Sequence, residues 1–312
     1  MKKKLRNLLV IICSAVLVPA LSVAILLPAA AALSSCAGDI QKTAEEIDAV
    51  MQEAQIQEAE VQEPEVQEPE AQDAEKSSLQ GKTVSLLGDS ITTFDGYIPE
   101  EYLPYYPYNG MTLTDVNQTW WMNMLEQTGM ELLVNGSWSG SLVCGDSEAA
   151  DSKAACSYRR LTDLKQGNEI PDVILVYMGA NDYFAEKELG DWSGAPTVRS
   201  DGNIQNFTES YELMLQKLIG MYPDTQLYCL TLIEADGDHE HVNGVGCTIA
   251  DYNTRIKQLA GAYGIPVIDL HECGMPLEQI HQYTDDGIHP NAAGAKKMGD
   301  YVSSELLRMN SN

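Results

Sequence analysis

Thr83-Val84-Ser85-Leu86-Leu87-Gly88-Asp89-Ser90 is the stretch on which the fold turns. Thr83 to Leu87 is mostly apolar, too short for a helix, and stops at a turn-forming Gly-Asp, so it reads as a strand buried on both faces. Runs of the same kind recur at Glu131 to Val134, Val173 to Met178, Leu227 to Ile233 and Pro266 to Leu270. Between them the apolar spacing changes to that of helices, at Trp120 to Gln127, Phe207 to Met221 and Ile249 to Tyr263, with a last one at Ala292 to Met309. In the Phe207 segment Leu213, Met214, Leu218 and Met221 recur at helical spacing. Alternating β and α units predict an α/β fold, a five-stranded parallel sheet between helices in a three-layer α/β/α sandwich. Residues 81–312 suffice for one such domain of about 230 residues. Ligand sites in open sheets of this class lie at the carboxyl ends of the strands, and Ser90 stands just past the first of them.

Upstream of Gly81 the chain changes character. Lys2, Lys3, Lys4 and Arg6 precede an uncharged stretch from Leu8 to Leu33, which ends in Leu33-Ser34-Ser35-Cys36. A positive start, an apolar core and a small-residue stop make an export signal. The last four residues resemble the lipobox of bacterial lipoproteins, which implies that residues 1–36 are a signal peptide and that Cys36 carries the lipid. An uncleaved transmembrane helix is the alternative, because the stretch can span a bilayer and membrane helices tolerate Pro19 and Pro28. Either way the rest of the protein is expected outside the cytoplasmic membrane, on its outer face or at the cell surface. Residues 37–80 are acidic and rich in Gln and Ala, and Val61-Gln62-Glu63-Pro64-Glu65 repeats at once as Val66-Gln67-Glu68-Pro69-Glu70. So little apolar surface does not repay ordering entropy, and a disordered tether is expected.

The formal net charge is −27. From Gly81 onward 33 acidic residues face 13 basic ones, a net of −20. Such a domain is not expected to bind nucleic acid through phosphates and is repelled by anionic lipid surfaces, so the membrane is a partner only through the N-terminal anchor. A monomer is expected. Of seven cysteines, Cys144, Cys156, Cys229, Cys247 and Cys273 lie in the domain. Cys144 and Cys156 flank a polar loop that a disulfide could close, or they stay as two thiols. No Cys-x-x-Cys occurs, which speaks against a structural zinc site. His239 and His241 sit in a polar loop, Glu234 to Gly246, and read as solvated rather than metal-ligating.

Four segments carry chemistry: Gly88-Asp89-Ser90, Asn135-Gly136-Ser137-Trp138-Ser139-Gly140, Gly179-Ala180-Asn181-Asp182 and Asp285-Asp286-Gly287-Ile288-His289-Pro290-Asn291. Each is weak alone. The four in this order, three after a strand and one before the last helix, resemble the sequence blocks of the SGNH/GDSL hydrolases over Gly81 to Met309. That resemblance implies a flavodoxin-like sheet of order 2-1-3-4-5. It also implies Ser90 as nucleophile, His289 as general base and Asp286 as the acid that orients it, with Asp285 next door as the alternative. Gly140 and Asn181, with the Ser90 N–H, are implied as oxyanion donors. Chemistry asks for the same residue types. A serine hydroxyl needs a base, histidine can take and return a proton near neutral pH, and a carboxylate holds its tautomer. No metal or organic cofactor is expected, because protein groups cover both proton transfer and charge stabilisation.

The substrate is less legible. Tyr97, Tyr102, Tyr105, Tyr106, Tyr108, Trp120 and Trp121 crowd the stretch after the first block. Tyr97, Trp138 and Tyr183 flank motif residues and are the candidates for the substrate pocket. No long apolar lid segment is present, so a small ester or acylated carbohydrate, above all a glycan acetyl ester, is the expected substrate. A lysophospholipase or thioesterase is the alternative within the enzymes. A glycan-binding lipoprotein without catalysis is the alternative outside them, and the intact Ser90, Asn181, Asp286 and His289 argue against it.

Overall fold

The structure, a computed structural model, describes residues 78–108, 110–236 and 241–311. The signal peptide, Cys36, almost all of the tether and His239 lie outside the described residues. Packing begins before Gly81: Leu79 is fully buried, and the Ser78 hydroxyl donates to the Asn310 carbonyl at 2.7 Å.

Five strands form one parallel sheet: β1 (Thr83–Gly88), β2 (Glu131–Asn135), β4 (Val173–Tyr177), β6 (Gln226–Leu230) and β7 (Val267–Ile268). Their spatial order is β2-β1-β4-β6-β7, the 2-1-3-4-5 order expected. β4 is central and every residue in it is buried, as a strand covered on both faces requires. Two short strands the sequence did not suggest, β3 (Gly145–Asp146) and β5 (Asn203–Ile204), pair antiparallel. At two residues each they leave no periodic trace. The fourth core strand stops at Leu230, short of Ile233, because Asn253 takes over the backbone there. Its side chain accepts from Leu232 N at 2.7 Å and donates to Leu232 O at 2.9 Å.

The helices are α1 (Trp120–Thr128), α2 (Tyr158–Thr162), α3 (Ala180–Phe184), α4 (Phe207–Met221), α5 (Ile249–Ala262), α6 (Ile280–Tyr283) and α7 (Ala292–Met309). Polar side chains start the long ones, satisfying N–H groups that have no partner within the helix. Thr119 caps α1, Asn206 caps α4, Thr248 caps α5 in a capping box with Asp251, and Asn291 caps α7. The β1-α1-β2 crossover runs outward and those through α4 and α5 run the other way. Right-handed connection therefore puts α1 on one face of the sheet and α4 and α5 on the other. α7 packs along α1 and joins its layer. The helices α2, α3 and α6 are four or five residues long, below what apolar spacing can reveal.

Candidate active site

The carboxyl ends of β1, β2 and β4 meet side by side, with Gly88 opposite Tyr177 and Leu86 opposite Asn135. Ser90, Gly140 and Asn181 each follow one of these ends. Ser90 opens a single 3-10 turn, Ser90–Thr92, capped by the Asp89 carboxylate, which accepts from Ile91 N at 3.0 Å. Asp89 is wholly buried, and its Oδ2 finds no partner among the described residues. Burial is the main reason its pKa is pushed up to about 6. The Ser90 side chain lies 2.9 Å from His289 Nε2.

His289 comes from a loop closed by pairing of Thr284 with Pro290. Within it Asp286 Oδ1 accepts from Ile288 N at 3.0 Å and His289 N at 2.7 Å, and Asp286 Oδ2 stands 2.7 Å from His289 Nδ1. Gly287 permits the turn: its φ is +85°, and an added Cβ would collide with the Asp236 carbonyl. Burial works to raise the Asp286 pKa, but the hydrogen bonds from the His289 side chain and backbone outweigh it, and the carboxyl stays well below the usual carboxylate range. A carboxylate can only accept, so His289 carries its proton on Nδ1 and leaves Nε2 free to accept from the Ser90 hydroxyl. Asp285 is engaged elsewhere, accepting from Thr112 N at 2.8 Å and Thr112 Oγ1 at 2.9 Å.

Gly140 has φ +72° with nothing within 4 Å of where a Cβ would sit, so conformation rather than space calls for glycine. The Asn181 amide donates to Ser141 O at 3.1 Å. Asp182, fully buried, accepts from Val143 N at 2.8 Å and Cys144 N at 3.0 Å. The third block thus holds the loop of the second.

The rings expected around a substrate pocket divide. Trp138 is 5 % exposed and Tyr183 is 2 % exposed. Trp138 stacks on Tyr102 with centroids 4.1 Å apart, under Arg159 and Lys153. Tyr183 packs edge-on against Phe184 and Tyr252. Both are buried among neighbouring side chains, because the segments beside the motif close over them. Tyr97 is 43 % exposed. It rests on Trp121 and lines a cavity of about 450 Å³ along the β2 edge with Leu132, Val134 and Glu101.

Two residues beside the site escaped the sequence reading. Arg160, wholly buried, donates to Gly88 O at 3.0 Å, Gly136 O at 2.9 Å and Lys153 O at 2.7 Å. The Tyr105 ring lies on the His289 imidazole, centroids 3.5 Å apart. Tyr105 stood out only as one of many tyrosines, and Arg160 had no distinguishing signal. Cys144 and Cys156 are free thiols. Among the described residues no group of three or more His, Cys, Asp or Glu could hold a metal ion.

A family model described as GDSL-like lipase/acylhydrolase matches residues 82–306. A multidomain esterase of Ruminococcus flavefaciens is 27 % identical over 139 residues, 44 % of this chain and 16 % of that protein. An acetylxylan esterase of Xylanibacter ruminicola is 40 % identical over 50 residues, 16 % of this chain and 10 % of that protein. The matches thus span a small part of either relative. Among solved structures, one from Bacteroides uniformis described as a GDSL-like lipase superposes with a TM-score of 0.54 at 26 % identity, covering 72 % of this chain and 95 % of that one. A similarly described structure from Bacteroides ovatus gives a TM-score of 0.56 at 24 % identity, covering 73 % of this chain and 99 % of that one, and shows the shared fold.

Proposed function

The chain belongs to the GDSL-like lipase/acylhydrolase family, and on that premise we propose that it is a serine esterase with Ser90 as nucleophile, His289 as general base and Asp286 as the group that orients the base. One observation carries this reading: the unbroken row from Ser90 Oγ through His289 to Asp286, with contacts of 2.9 Å and 2.7 Å. Ser90 Oγ attacks the ester carbonyl while His289 Nε2 takes its proton. The resulting imidazolium faces the Asp286 carboxylate, which stabilises it. The intermediate collapses as the proton passes to the leaving alcohol, giving an acyl-enzyme. Water activated by His289 then releases the acid. The oxyanion is received by the N–H groups of Ser90 and Gly140 and by the Asn181 amide. Since one Asn181 amide hydrogen is held by Ser141 O, the other is oriented before substrate arrives, as preorganised stabilisation requires. Ser90→Ala should abolish both turnover and acyl-enzyme formation on p-nitrophenyl acetate, while chelators should change nothing. Wild-type turnover in Ser90→Ala, or activity that follows added metal, would refute it.

For the substrate we propose short-acyl esters of carbohydrate, acetyl esters above all. The name of the multidomain esterase relative supports ester hydrolysis alone, while that of the acetylxylan esterase supports this substrate over the 50 residues it shares. So does the net charge of −20 from Gly81 onward, which disfavours an anionic lipid interface. Rates on p-nitrophenyl esters should fall steeply from acetyl to octanoyl, with acetylated xylo-oligosaccharides deacetylated. A preference for long chains or for lysophospholipid would reverse the assignment. We propose further that Cys36 bears a lipid that holds the domain on the outer face of the membrane. Metabolic labelling with a fatty-acid analogue tests this, and labelling that survives in Cys36→Ala would rule it out.

A further inference from the structure

Tyr105 takes no part in the chemistry just described, yet it touches both halves of the site. Its ring lies nearly parallel to the His289 imidazole, 12° off, at a centroid distance of 3.5 Å. Its hydroxyl donates to Asp286 Oδ2 at 2.9 Å, the same oxygen that receives His289 Nδ1–H. Its backbone N–H donates to Thr93 Oγ1 at 2.8 Å, and that hydroxyl donates to Ser90 O at 2.9 Å. One residue therefore spans the nucleophile turn and the histidine loop, whose partners Ser90 and His289 are 199 positions apart in sequence.

We infer that Tyr105 is a positioning residue of this site: its ring sets the plane of the His289 imidazole and its hydroxyl sets the Asp286 carboxylate, so that Nε2 stays aimed at Ser90. The inference rests on the serine-esterase reading above. A histidine on an irregular loop can rotate about two side-chain torsions, and the single bond to Asp286 leaves tilt about that bond unrestrained. A ring laid flat on the imidazole removes the tilt. The neighbours add to the clamp. The Tyr106 hydroxyl donates to Pro290 O at 2.8 Å, and Thr112 holds Asp285.

The two contacts of Tyr105 act in opposite senses on the base, which makes them separable. An aromatic face favours the imidazolium that forms as the proton moves. The hydroxyl shares Asp286 Oδ2 with the imidazole and weakens it as an acceptor for Nδ1–H. Among the described residues, Tyr106 also meets the imidazole, edge-on, and the buried Asp89 interacts with it electrostatically. Burial, with the bond to Asp286 and its charge, raises the Tyr105 hydroxyl above an ordinary phenol, so it remains a donor across the working range.

Tyr105→Phe keeps the stack and removes the bond, whereas Tyr105→Leu removes both. On p-nitrophenyl acetate, Tyr105→Phe should keep KM, lose about tenfold in kcat, and move the acid limb of kcat/KM up by roughly half a pH unit. Tyr105→Leu should lose about a hundredfold in kcat, with its acid limb below that of Tyr105→Phe. Thermal unfolding run alongside separates these effects from loss of fold. If Tyr105→Leu does not fold, Tyr105→Phe decides alone. Wild-type kcat and an unmoved acid limb in Tyr105→Phe, where Ser90→Ala is inactive, would overturn the positioning role and leave the serine-esterase reading intact. An active Ser90→Ala would overturn both.

Discussion

Asp89 and Asp286 sit beside the two ends of one hydrogen bond, and their surroundings push them in opposite directions. Asp286 accepts four hydrogen bonds, from Ile288 N, His289 N, His289 Nδ1 and Tyr105, and stays ionised. Asp89 is buried with one partner, Ile91 N, and is pushed up to about 6 from an ordinary 3.8. For a carboxylate raised by folding, the unfolded chain ionises first. Stability is therefore highest below pH 4 as far as Asp89 is concerned, falls as pH rises to about 6, and stays lower above it. Asp89→Asn should remove this dependence. Relative to wild type it should gain on the order of 1–3 kcal/mol at pH 8, with the gain shrinking to nothing by pH 4, as urea titrations at the two pH values would reveal. Asn181→Ala should lower kcat about 10²–10³-fold with a smaller change in KM, since its donor acts mainly in the transition state. Asp286→Asn should slow turnover less than Ser90→Ala if Tyr105 still holds the imidazole plane, and steady-state kinetics on the pair decide it.

At the scale of elements, the site depends on how strand ends are joined. Arg160 on α2 reaches under the nucleophile turn and holds the last carbonyl of β1 together with that of Gly136, just past β2. Burial lowers its pKa to about 10, which still leaves it charged at neutral pH. Arg160→Met should cost roughly 2–4 kcal/mol, because the buried Gly88 and Gly136 carbonyls, with that of Lys153, lose a charged donor, and Arg160→Lys should recover little of it, since one ammonium cannot reproduce the fork. Chemical denaturation would measure both. The α1–α7 layer is equally intolerant. A Cβ on Gly299 would sit 2.6 Å from Trp120 O and from Asn123 Cβ. Gly299→Val should destabilise by about 1–3 kcal/mol through overpacking. Because the α7 cap, Asn291, follows closely on His289, activity should fall with it.

Over the whole molecule, charge is the dominant unbalanced term. The net −20 from Gly81 onward repels itself across a domain only a few Debye lengths wide. Raising NaCl from about 20 mM to about 300 mM shortens that range from ~20 Å to ~6 Å and should raise Tm by roughly a few degrees. A Tm that falls with salt would mean that ion pairs such as Lys217–Asp201 and Arg199–Glu212 outweigh the repulsion.

The five strands of the sheet and the long helices could be read from the chain, because buried parallel strands and long amphipathic helices write their periodicity into it. Strand order needed the resemblance as well, since periodicity says nothing of adjacency. Ser90, Gly140, Asn181, Asp286 and His289 were legible as candidates because each follows a strand end or precedes a helix in a block of fixed spacing. The remaining features exist only once the chain is folded. That Asp286 rather than Asp285 faces His289 depends on Thr112 drawing Asp285 away. That Trp138 and Tyr183 are packed rather than open depends on Tyr102, Arg159 and Tyr252, which are remote in sequence or carry no motif. Tyr105 and Arg160 matter through contacts to segments tens to nearly two hundred residues away, and a contact at that separation leaves no mark on local composition or spacing.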